Sequence, residues 1–196
     1  SAALGLACRE GEIAMHNSAT PPAPENLTAH APRTGSPKSH SPETGPEDDS
    51  QLSGLAQMQK MLDGLSPPPP IAAVLNYRLS EVAEGRVVFS GTPQAAFANP
   101  TGAIHGGWYG TLLDSCMACA VLTRLPARTA FTTLEYKVNV LRSVPAGVEV
   151  AAIGTAQHVG RSTGVAVGEL RGVKDGKLYA TGSTTCIVMQ PPAQDK

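Results

Sequence analysis

Apolar residues recur at helical spacing along two stretches of the chain, and six others carry a β-type pattern. Over 51–65, Leu52, Leu55, Met58, Met61, Leu62 and Leu65 share one side of a helix. The run "SPPPP" at 66–70 stops it, because proline lacks the amide donor and clashes with the preceding turn. A strand pair is expected at 71–80 and 86–92, with "EVAEG" as its turn. After a loop comes a long apolar helix over 105–123, in which Trp108, Tyr109, Leu112, Leu113, Cys116, Met117 and Ala120 follow the i, i+3, i+4, i+7 pattern. Four strands complete the chain, at 130–141, 148–159, 162–173 and 177–189. The first alternates clearly, with Leu134, Tyr136, Val138 and Val140 on one face and Thr133, Glu135, Lys137 and Asn139 on the other. "KDGK" contains Asp-Gly, a signal for a two-residue hairpin turn. The close connections favour antiparallel pairing. A sheet with one helix to cover must curl around it, so the expected class is α+β.

Asp114 is the anomaly of the long helix. Aspartate competes with the backbone for hydrogen bonds in a helix interior, and a buried carboxylate without a partner is costly. The ordinary alternative is an exposed acid on a solvated face. Two features argue against it: the helix is apolar on nearly every side, and it starts with His105-Gly106-Gly107. Glycines let another group approach the backbone, and the free amides of a helix N-terminus favour negative charge. A carbonyl oxygen turning into an oxyanion would be stabilised there.

Composition narrows the classes. A formal net charge of −1 over 196 residues suggests neither a basic nucleic-acid surface nor a strongly anionic one. No apolar run approaches the ~20 residues of a membrane helix, and the first residues lack the basic and apolar regions of a secretory signal. The start at Ser1 suggests a processed tag or a missing upstream segment. Four cysteines make a sparse set for a disulfide scaffold, so a reduced, cytoplasmic protein is expected. Residues 1–50 are expected to be a mobile tail, since 21–50 is rich in Pro, Ser, Thr, Gly and Glu and has no repeating apolar face. The folded domain is then 51–190, with a short C-terminal tail at 191–196.

The stretch "NPTGAIHGGWYGTLLDSCMACA" resembles the signature of hotdog-fold acyl-CoA thioesterases of the phenylacetic-acid-degradation, or PaaI-like, branch. Its Asn99, His105, Gly106, Gly107 and Asp114 hold the spacing of that signature, and "TTLEYKVNVLRSVPAG" resembles the strand that follows. The resemblance covers roughly 65–189 and implies an antiparallel sheet wrapped around a central helix. It also implies a homodimer, often paired again into a tetramer, with active sites between subunits. The substrate implied is an acyl-CoA, aryl or medium-chain, and no cofactor is implied, because coenzyme A is part of the substrate. Nucleic acid and membrane are not expected partners.

By position, the Gly106 N–H would polarise the thioester carbonyl, and Asp114 would activate water or attack directly. Asn99 would orient thioester or water, and His105 would brace the loop. Thr133, or else Thr132, would hold the water. Arg161 and Ser162 in "VGRSTG" resemble a family contact to coenzyme A, with Arg142 a second candidate and Gly107 beside the carbonyl site. Ordinary surface solvation is the alternative for both arginines. Trp108, Tyr109 and Phe97 are candidates for an acyl pocket or for the core.

Other readings weigh less. Cys116-Met-Ala-Cys119 is a C-x-x-C inside a helix, without the helix N-terminus of a redox site or the further ligands of a zinc site. Phosphate-loop, dinucleotide and G-x-S-x-G motifs are missing. A non-catalytic acyl-CoA-binding protein would share the fold but has no need of an acid beside the thioester. A dehydratase would need a differently placed histidine.

Overall fold

The structure, a computed structural model, describes residues 49–189. The tail expected at 1–50 lies outside them except for Asp49 and Ser50, which belong to a 3-10 turn, and 191–196 lies outside as well.

Helix α1 is Gly54–Leu62, with Ser53 as N-cap accepting from the Ala56 amide. It stops three residues before the expected end, where Gly64 takes a left-handed φ of 74° and lets the chain turn back. The expected strand at 71–80 is divided. Its first part is a short helix, α2 (Pro70–Val74), because proline at a first helical position lacks only an amide that would go unpaired there. Strand β1 (Tyr77–Ala83) follows, then β2 (Arg86–Gly91). The turn between them is only 84–85, with Gly85 at φ 72°, so most of "EVAEG" is strand.

The long helix α3 is Gly106–Leu122, with His105 as N-cap and Thr123 as C-cap. The remaining strands are β3 (Ala130–Val140), β4 (Val150–Val159), β5 (Thr163–Gly172) and β6 (Leu178–Met189). The β5–β6 hairpin has a five-residue loop, 173–177, in place of the expected two-residue turn. Asp175 Oδ1 accepts from the Lys177 amide there, and Gly176 is left-handed.

The six strands form one antiparallel sheet in the order β1-β2-β4-β5-β6-β3. Consecutive β3 and β4 are not partners. β3 goes to the far edge beside β6, and β4 returns to β2. The sheet curls around α3, whose buried residues include all seven of the expected stripe, joined by Gly110 and Val121. This is the hotdog arrangement.

Close approach of helix to sheet depends on three glycines. Gly154, Gly168 and Gly182 lie opposite one another across β4, β5 and β6. A Cβ on Gly154 would run into the Cys116 carbonyl and lie 2.7 Å from the Met117 nitrogen; one on Gly168 would lie 2.9 Å from Met117 Cγ. The bare backbone forms a furrow that receives α3 one turn beyond Asp114. The C-terminal end of α3 is tied to the β1–β2 turn, where Thr123 Oγ1 accepts from the Gly85 amide and donates to the Ala120 carbonyl, both at 2.7 Å.

Among the described residues no helix is long and apolar enough to cross a membrane.

Candidate active site

The loop before α3 is closed by its own polar groups. Asn99 Oδ1 accepts from the amides of Thr101 (3.0 Å) and Ala103 (3.2 Å) and from Thr101 Oγ1 (2.7 Å). The Asn99 amide donates to the Ala103 carbonyl at 2.7 Å, and the His105 amide to Phe97 at 2.9 Å. Such asparagine-centred turns hold a loop in one shape. The side chain's oxygen is therefore committed to the loop, and only its Nδ2 hydrogens remain for a ligand.

That loop delivers His105 to the helix start. His105 Nδ1 accepts from the Gly107 amide at 2.9 Å, and its carbonyl accepts from the Trp108 amide. The ring thus braces the loop. It also occupies Gly107 N–H, so Gly107 has no amide free for a carbonyl. The Gly106 amide makes no hydrogen bond among the described residues, and a Cβ there would meet open space. His105, Gly106 and Gly107 are all exposed.

Asp114 lies two helical turns further on and is half-buried. Thr133 Oγ1 donates to its Oδ1 at 2.9 Å. Thr132 is exposed and faces the other side of the strand, so Thr133 is the hydroxyl on the acid. A β-bulge at Leu134 makes a second difference from the expected alternation. Thr133 pairs with Cys186 and Glu135 with the adjacent Thr185, so the phase of β3 changes by one residue. Thr133 and Tyr136, expected on opposite faces, both turn toward α3. The Tyr136 hydroxyl would lie 3.2 Å from a Cβ on Gly110, one turn before Asp114. Sequence reading missed Tyr136 because a bulge leaves no signature in alternation alone.

Trp108 is a correction. Of its two expected places, acyl pocket or core, it takes the core, at 3 % exposure, and its indole N–H donates to the Leu75 carbonyl at 2.9 Å. Tyr109 is equally buried, its hydroxyl accepting from the Val144 amide. Phe97 packs against the same core.

The two candidate arginines are far apart. Arg161 and Ser162 lead into β5, whose Gly164 abuts Val121 near the C-terminal end of α3. Arg142 follows β3, where its Nε donates to the Leu178 carbonyl at the start of β6. Thr163 pairs with Ile187 and Val140 with Ala180, so about seven residues of β6, or roughly 23 Å, separate the two ends. One chain does not bring both guanidinium groups to one phosphate.

The C-x-x-C thiols are unsuited to ionic chemistry. Burial pushes Cys116 well above its ordinary value; burial and then the Asp114 charge push Cys119 up to about 12. Cys186 is raised by burial as well, with the Thr133 hydroxyl acting the other way. These thiols stay protonated at neutral pH and fill space as small apolar groups. Among the described residues no group of three or more His, Cys, Asp or Glu side chains could hold a metal ion.

Helix geometry sets the chemical limit of one chain. Gly106 and Asp114 are eight residues apart on α3, a rise of about 12 Å. One carbonyl group cannot meet both.

Comparison with known proteins agrees with this architecture. The thioesterase superfamily model matches residues 101–179. A phenylacetic acid degradation-related protein from Ralstonia eutropha is 32% identical, with a TM-score of 0.61 over 66% of this chain and 98% of that one. The phenylacetic acid degradation protein PaaI from Thermus thermophilus, in a mutant structure, is 28% identical, with a TM-score of 0.55 over 61% and 98%. The Escherichia coli PaaI protein shares the fold at 22% identity and a TM-score of 0.60, over 69% and 95%. No curated protein matches the chain significantly. The match over nearly the whole Ralstonia protein, together with an acid and a free glycine amide on one apolar helix, establishes that this chain belongs to the PaaI-like hotdog branch of the thioesterase superfamily and is a thioester hydrolase.

Proposed function

We propose that the chain hydrolyses an acyl-CoA thioester to the free acid and coenzyme A, at sites shared between two protomers. The observation that carries this reading is the pairing of Asp114 on α3 with Thr133 on β3, with a free Gly106 amide about 12 Å from the acid along the same helix. A second copy can supply the missing half. The edge strand β3 supports such pairing, since its outer edge has no strand partner and it exposes Leu134 and Val140. The assembly is then a dimer, or a dimer of dimers.

The Thr133 hydroxyl spends its one proton on Asp114 Oδ1 and leaves Oδ2 for the reaction. As general base, Asp114 takes a proton from water while the water oxygen bonds to the carbonyl carbon. The carbonyl oxygen becomes an oxyanion on the Gly106 N–H of the second protomer. The C–S bond then breaks, and the thiolate recovers the proton from Asp114. Direct attack by the carboxylate, with later hydrolysis of the anhydride, uses the same groups. Asn99 contributes its Nδ2 hydrogens to the carbonyl or the water. Arg161 and Ser162 hold the phosphate end of coenzyme A. The three free cysteines among the described residues fit a reducing, cytoplasmic compartment.

Thiol release from a panel of acyl-CoAs tests the activity, and Asp114→Asn is expected to remove most of it. Mixing Asp114→Asn with Asn99→Ala, after dissociation and reassociation, tests the shared site. Random pairing gives half heterodimers with one intact site each, so activity returns to about a quarter of wild type. No recovery in a mixture shown to exchange subunits overturns the shared site. An Asp114→Asn variant as active as wild type overturns the reading itself.

A further inference from the structure

We infer that Tyr136 closes the acyl subsite and selects compact acyl groups over long straight chains. This rests on the acyl-CoA hydrolase reading above. On the Asp114 side of α3 the neighbours one turn away are Gly110 and Ala118, both too small to fill the space between helix and β3. That face of the helix therefore carries no large side chain one turn to either side of the acid. At the Ala118 side it leads toward the C-terminal end of α3, where Gly164 meets Val121 and Arg161 stands three residues earlier. With the phosphates of coenzyme A held there, the acyl group points the other way, toward Gly110.

Tyr136 occupies that end. The Leu134 bulge turns it onto the helix side, and its hydroxyl and Cε2 would lie 3.2 and 3.3 Å from a Cβ on Gly110. The hydroxyl makes no hydrogen bond among the described residues, and the residue is 47 % exposed, so its ring forms a wall that a ligand can reach. From Asp114 to this wall is one helical turn, about 6 Å. An aryl ring or a short chain fits that length; a long chain does not.

The test measures kcat/KM for acetyl-, butyryl-, octanoyl-, dodecanoyl-, benzoyl- and phenylacetyl-CoA with wild type, Tyr136→Phe, Tyr136→Leu and Tyr136→Ala. Wild type and Tyr136→Phe are expected to prefer the compact acyl groups, since the ring is the obstacle. Tyr136→Ala and Tyr136→Leu are expected to raise the dodecanoyl-to-benzoyl ratio by about 10-fold or more. Leucine keeps a strand-compatible apolar side chain, so its result stands if the alanine variant does not fold. An unchanged ratio in a variant with wild-type melting behaviour, or an equal loss for every substrate, overturns the inference while leaving the hydrolase reading intact. A wild type inert toward all six overturns both.

Discussion

Replacing Gly154 by alanine adds one methyl group at the closest contact between helix and sheet. The new Cβ would run into the Cys116 carbonyl and stand 2.7 Å from the Met117 nitrogen. Both are backbone atoms within α3, so no side-chain rotation relieves the clash. The helix must lift away from β4 by roughly 1 Å, and overpacking of this kind costs on the order of 3 kcal/mol. The smaller unfolded-state entropy of alanine returns about 0.4–1 kcal/mol. The net loss is about 2 kcal/mol or more, which for a domain of this size lowers the melting temperature by about 6–8 °C. Cys116 and Met117 are two and three residues beyond Asp114, so lifting them also displaces the acid from Thr133. A displacement of that size is enough to reduce turnover by about 100-fold. Thermal melting and thiol release on the same preparation read both effects. Gly168→Ala is the control, because its new methyl meets side-chain atoms, Met117 Cγ at 2.9 Å and Leu113 Cδ2 at 3.1 Å, in place of helix backbone, and a smaller loss is expected. A Gly154→Ala protein that melts within about 1 °C of wild type and retains full activity would refute the close-packed helix as the device that positions the acid.

Two further outcomes follow from particular contacts. Asn99→Asp keeps the oxygen that accepts from Thr101 and Ala103 but loses the Nδ2 hydrogens, so activity is expected to fall at least 10-fold with the melting temperature little changed, whereas Asn99→Ala should lower both. The raised thiols bear on alkaline stability: unfolded cysteine ionises near pH 8.5–9 while folded Cys119 holds its proton to about 12, so unfolding releases a proton in that window. Stability is therefore expected to fall as pH rises from about 9 toward 12, on the order of 1 kcal/mol per pH unit for this thiol, and Cys119→Ala should flatten the slope in urea titrations. An equal slope in the variant refutes the assignment.

The local pattern of the chain was sufficient for the elements that carry their own signal. An apolar helix starting at His-Gly-Gly, its interior acid and the strands at 86–92, 130–141, 148–159, 162–173 and 177–189 all emerge within a few residues, because hydrophobic period and helix-end chemistry are local properties. His105, Gly106 and Gly107 were legible for the same reason, as one helix start, whereas Asn99 was singled out only by the resemblance of the whole stretch to the family signature.

Non-local contacts decided the rest. The strand order puts β3 beside β6, and the Leu134 bulge that brings Thr133 and Tyr136 to one side of α3 exists only through pairing with Cys186 and Thr185. Gly154, Gly168 and Gly182 are unremarkable in sequence and become a furrow only when three strands align them under the helix. Trp108 reads equally well as pocket or core until Leu75 supplies the carbonyl that satisfies its indole. A sequence records which side chains are apolar and how they repeat. Which of them meet depends on register and on the closing of the sheet, and so on residues far apart along the chain.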